Sequence, residues 1–139
     1  MNPSIPLVLG VCLLGALASV NISGRSSTGQ DTARSTNDGV YSEAQASRGQ
    51  ALFQSRCTAC HDTARFTGQG FVQTWAGQPM ADIFTLVSKT MPEDNPGSLT
   101  PQQYADILSF FLKLNGFKHG DAELTEEALK AVTIVPAAK

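Results

Sequence analysis

Five residues constrain this chain more than any others: Cys57-Thr58-Ala59-Cys60-His61. Two thiols three positions apart, followed at once by an imidazole, form the pattern through which a haem is covalently attached. The chemistry explains the spacing. Cysteines so placed at a helix end reach the two vinyl groups of one porphyrin and form thioethers. The adjacent His61 then lies under the iron, where an imidazole nitrogen ligates it. Cys57 and Cys60 are therefore the expected attachment points, and His61 the first axial iron ligand.

Two other chemistries use cysteine pairs. A redox pair would need a thioredoxin-like βαβ context, and no stretch alternates well enough to be a strand. A zinc site could recruit Cys57, Cys60, His61 and His119. The adjacency of Cys60 and His61 departs from the spaced ligand pairs of zinc sites, and His119 falls in a Lys-His-Gly turn beyond the last strong helix.

Met91 is the expected sixth ligand. It follows His61 by enough chain to cross to the opposite haem face, and a thioether is a soft ligand that raises the potential. Pro92 restrains the backbone beside it, and Glu93-Asp94-Asn95-Pro96-Gly97 reads as a turn-rich loop. Met80 and His119 compete for the position. Met80, however, sits on an apolar helical stripe that suits a core role.

The N-terminus carries an apolar run, Ile5 to Val20, too short for a comfortable span of roughly 20 residues. With Ala16-Leu17-Ala18 as a small-x-small site, residues 1–18 are expected to be a signal peptide; an uncleaved anchor is the alternative. No Lys or Arg precedes the run. Cys12 follows Leu9-Gly10-Val11, a poor lipobox that argues against a lipoprotein; if the N-terminus is cleaved, this odd cysteine leaves with it. Residues 19–42, rich in Ser, Thr, Gly and Asn, read as a flexible linker. The formal net charge of −2 excludes the strong basic field of a nucleic-acid binder. Membrane attachment is expected only with an uncleaved N-terminus.

Three helices are predicted. The first spans about 43–56, with Ser42 and Gln45 at capping-box spacing and Gly49, Leu52, Phe53 and Arg56 on one face. The second spans about 79–89, with Pro79 at its first position and a stripe of Met80, Ile83, Phe84 and Val87. The third spans about 101–114. Thr100 and Gln103 form its capping box, Tyr104, Ile107, Leu108, Phe111 and Leu112 its apolar face, and Asn115-Gly116 its stop. Residues 118–139 carry Leu124, Leu129, Val132 and Ile134 and are expected to fold back as a short helix and an extended end. Three short helices over roughly 75 residues make a thin core that calls for a cofactor.

Gly49 and Phe53, the Cys57–His61 motif, Trp75, Thr90-Met91-Pro92, Pro96-Gly97-Ser98-Leu99, Tyr104 through Leu112, and Asn115-Gly116-Phe117 together resemble the class I cytochrome c family over about residues 43–117. The resemblance implies an all-α fold of three main helices and long loops around one covalently bound haem c. It also implies a close crossing of the first and last helices at Gly49, filled by an aromatic of the last helix. The run around Met91 looks most like the small cytochromes that accompany periplasmic quinoprotein dehydrogenases. The expected function is a one-electron carrier in the periplasm, serving a dehydrogenase or other donor and an acceptor such as a terminal oxidase. With both axial positions filled by His61 and Met91, an electron-transfer protein is expected, not an enzyme. A peroxidase-like enzyme or a gas-binding sensor is the alternative, and either needs Met91 to leave the iron. Trp75 and Arg65 are candidates to meet the haem propionates.

Overall fold

The computed structural model describes residues 33–138. The expected signal peptide, Cys12 and residues 19–32 of the expected linker lie outside them. The element order is β1 (Arg34–Ser35), α1 (Glu43–Arg56), a 3-10 turn (Thr63–Phe66), α2 (Gly68–Trp75), α3 (Met80–Thr90), α4 (Pro101–Leu114), α5 (Glu126–Leu129) and β2 (Val132–Thr133).

Helices α1 and α4 cross at the centre. The contact is made possible by Gly49, where any Cβ would collide with the Asp106 carbonyl. Around the crossing, Phe53 of α1 meets Phe110 and Phe111 of α4 at ring-centroid distances of 5.7 and 5.6 Å. Arg48 adds a fork of hydrogen bonds to the buried Asp106 carboxylate at 3.0 and 3.1 Å, and its other edge bonds Glu123. These carboxylates, Asp106 foremost, push the Arg48 guanidinium still further above its usual range. The burial of Asp106 is thus matched by a planar, bidentate donor.

Local chemistry explains the ends of α4. Thr100 accepts from the Gln103 amide while the Gln103 side chain accepts from the Thr100 N–H, a complete capping box. At the other end Gly116 takes φ 78°, and the Phe117 N–H returns to the Leu112 carbonyl. Helix α1 differs from expectation. Ser42 accepts from the Gln45 N–H at 3.1 Å, but the Gln45 side chain does not complete the box. It is fully buried and pairs with both backbone groups of Leu124, each at 2.7 Å. The side-chain amide thereby imitates a strand partner and leaves no buried polar group of its own unmatched.

Three further features depart from the sequence reading. Helix α2 was not expected, since Gly68 and Gly70 lower its propensity; it forms because Phe71 and Trp75, four apart, face the interior side. The second expected helix begins one residue later, with Pro79 as N-cap instead of first helical residue. Most notably, residues 33–42 are no linker. Thr36, Val40 and Tyr41 are buried, and β1 pairs in parallel with β2, Arg34 opposite Val132. The reason is long-range: their composition is polar, but the folded-back tail supplies partners for it. Asn37 bonds the Pro136 carbonyl and the Ala138 N–H, and Thr36 bonds Val135 in both directions. In that tail Leu124, Leu129, Val132 and Ile134 are all buried. The tail then meets the α2–α3 connection through the Gly77 N–H to the Ile134 carbonyl and the Ile134 N–H to the Gln78 carbonyl.

Candidate functional site

The end of α1 delivers the motif. The Cys57 and His61 N–H groups continue the helical pattern, bonding the Phe53 and Cys57 carbonyls at 2.9 Å. Cys57 is half-buried and Cys60 exposed, both as free thiols. Burial pushes the Cys57 thiol above its ordinary value. Immediately after, Asp62 caps the 3-10 turn by accepting from the Ala64 N–H, which turns the chain sharply away from His61. The turn presents Phe66, whose ring stands edge-on to the His61 imidazole at 5.4 Å and stacks on Phe111 at 4.5 Å. Asn115 locks this loop: its side chain donates to the Phe66 carbonyl and accepts from the Gly68 N–H.

Opposite, α3 ends at Met91, whose N–H bonds the Val87 carbonyl at 2.9 Å. The Tyr104 hydroxyl on α4 donates to the Met91 carbonyl at 2.6 Å. Between the two sides lies a cavity of about 780 Å³. Cys57, Cys60, His61 and Met91 all line it, with Trp75, Arg65 and an apolar wall that includes Ile83, Val87, Ile107 and Phe111. That volume lies in the upper part of the roughly 300–1,000 Å³ range of cofactor sites.

The residues present fit a haem. The His61 Nδ1 is buried without a hydrogen-bond partner, the single such side-chain atom among the described residues. A buried ring nitrogen left unmatched is costly by itself and suits a ring whose partner comes from outside the chain. Cys57, Cys60 and Met91 line the same cavity, as an apolar macrocycle with a metal centre requires.

Not every candidate is brought here. Met80 is 2% exposed and packs in the core, away from the cavity. His119 is not among the lining residues; it lies beside Gly39, where arm and tail meet. Among the described residues no group of three or more His, Cys, Asp or Glu is placed to hold a metal ion, so the zinc ligand set is not assembled. The sequence reading missed Arg56 and Asn115. Arg56 precedes Cys57 and lines the cavity; Asn115 was read only as a helix stop. For Arg56 the signal was its place beside the motif; for Asn115 there was none.

Residues 44–111 match the family model described as cytochrome c oxidase, cbb3-type, subunit III. Neither the curated proteins nor the solved structures give a match. Among the described residues no helix is long and apolar enough to cross a membrane. The helical fold, the cavity beneath the Cys57–His61 motif and the match over 44–111 agree on a class I cytochrome c fold with covalently bound haem c as its cofactor, and the similarity of residues 44–111 to that family model supports haem-based electron transfer.

Proposed function

We propose that the chain is a monohaem electron carrier of the periplasm or an equivalent extracytoplasmic space. Cys57 and Cys60 would hold the haem as thioethers, and His61 and Met91 would ligate the iron. One observation carries this reading: a single cavity is lined by all four residues, drawn from the end of α1 and the end of α3.

Haem c, when bound, supplies a one-electron couple at its iron. The chain's own residues set its conditions. Phe66 bears on the His61 ring and limits its rotation. The wall of Phe53, Phe71, Ile83, Ile107 and Phe111 excludes water and keeps the dielectric low. Arg56 and Arg65 place positive charge at the rim, where Arg65, with the Trp75 indole N–H, suits the propionates. His61 and Met91 would both be ligands of the iron, which favours a carrier over an oxygen or peroxide enzyme. Partners would meet the exposed edge near Cys60 and Leu86, the latter 50% exposed, through a small transient interface. A periplasmic quinoprotein dehydrogenase as donor and a terminal oxidase as acceptor fit this reading.

The test is expression with a c-type haem maturation system, acid-acetone treatment and visible spectra of both redox states. Haem retained after acid acetone, with the weak long-wavelength sulfur-to-iron band in the native ferric form, is the expected result. Retained haem without that band would remove Met91 from the iron. Extracted haem would overturn the reading.

A further inference from the structure

We infer that Tyr104 is the positioning residue that holds Met91 at the cavity, and so governs how readily the sixth ligand gives way to an outside one. The inference rests on the reading that the Met91 thioether is that ligand.

Met91 is the last residue before a loop. Its N–H is tied back to α3 through the Val87 carbonyl, but its carbonyl points out of the helix. Two donors take that carbonyl. One is the Tyr104 hydroxyl at 2.6 Å; the other is the Gly97 N–H at 3.4 Å, a long contact that closes the 92–96 turn. The short bond is the only one that reaches Met91 from α4, the helix packed on α1 and therefore on the motif side of the cavity.

Tyr104 is well suited to act as an anchor. It is 2% exposed, it lines the cavity, and Phe84 of α3 stands edge-on to its ring at 6.3 Å. Its ring is thus fixed by packing, and its hydroxyl has one partner among the described residues. Removing the hydroxyl leaves the Met91 carbonyl with the long Gly97 contact alone. The backbone around Met91 then has more conformations, and those that withdraw the thioether become more populated.

An outside ligand reports that population. Its apparent affinity for the iron scales with the fraction of molecules whose sixth position is open. Loss of one hydrogen bond, about 1 kcal/mol net, corresponds to about a fivefold change in that fraction.

The experiment uses the full chain with haem attached. Ferric protein is titrated with imidazole while the sulfur-to-iron band is followed, and stability is measured separately by denaturant. Tyr104→Phe keeps the ring and removes the hydroxyl. Tyr41→Phe is the matched control, because Tyr41 also donates to a backbone carbonyl at 2.6 Å, that of Phe117, outside the cavity lining. Tyr104→Phe is expected to bind imidazole about fivefold more tightly, with Tyr41→Phe unchanged. Three results overturn the inference. If Tyr104→Phe loses stability but keeps wild-type imidazole affinity and band, the tyrosine is structural only and Met91 ligation stands. If both variants tighten imidazole binding equally, the effect is global. If the wild type lacks the band, Met91 is not the ligand, and the inference falls together with the reading beneath it.

Discussion

Gly49 of α1 lies so close to the Asp106 carbonyl of α4 that the two helices touch backbone to backbone. A glycine inside a helix costs about 1 kcal/mol relative to alanine, and the contact explains why it is kept. The consequence reaches the cavity, because α1 ends in the motif and α4 carries Ile107, Phe111 and Tyr104 into the lining. Gly49→Ala is expected to lower stability by at least about 2 kcal/mol, since the helices must separate to admit a methyl. Denaturant unfolding of the haem-loaded protein measures it. A loss below a few tenths of a kcal/mol would mean that the crossing is looser than described.

The Gln45 amide and the Leu124 backbone make a reciprocal pair that joins α1 to the tail. Gln45→Leu keeps the volume but leaves the buried Leu124 N–H without a partner and its carbonyl with only the long 3.5 Å contact from the Gln102 amide. A loss of about 1–3 kcal/mol is expected, together with faster proteolysis of the segment after Gly120. Unchanged proteolysis would show that the tail is held by its apolar contacts alone.

Tyr41 gives the domain an alkaline limit. Burial, reinforced by the nearby Glu43 carboxylate, raises its phenol to about 12 from an ordinary 10.0. Below pH 10 the phenol is protonated in folded and unfolded chains alike, and its stabilisation is fully present. Between pH 10 and 12 the unfolded chain gives up a proton that the folded chain keeps, so stability falls with rising pH. Above the folded value the contribution is lost. Tyr41→Phe should flatten this slope in a series of denaturation midpoints from pH 9 to 12; an unaltered slope would assign the alkaline limit to another group.

Met91→Ala should open the sixth position. The expected signs are loss of the sulfur-to-iron band, rapid carbon monoxide binding by the reduced protein, and a lower reduction potential, since thioether ligation favours ferrous iron. Met80→Leu should leave all three unchanged, because Met80 packs in the core outside the cavity. Tight carbon monoxide binding by the unaltered protein would favour a sensor or enzyme over a carrier.

What the sequence determined by itself was local. The Cys57–His61 spacing names its chemistry without a fold, and helices α1, α3 and α4 are written in apolar repeats and caps that act within one turn or two. Met91, which lines the cavity, and Met80, which does not, differ locally for the same reason: one follows a helix and precedes a proline, the other lies on a core stripe. The tertiary structure decided what depends on residues far apart in the chain. The Ser42–Gln45 spacing promised a capping box, but a partner 79 residues away claims the glutamine side chain. The polar arm 33–42 reads as a linker until the tail returns to pair with it, and Gly68 and Gly70 argue against a helix that the core nevertheless forms around Phe71. Asn115 ends α4 in the sequence, yet in space it fastens the loop that carries Phe66 against His61. Local propensity is weak beside such contacts, because burying a side chain or matching a buried backbone group outweighs the few tenths of a kcal/mol by which residues differ in isolation.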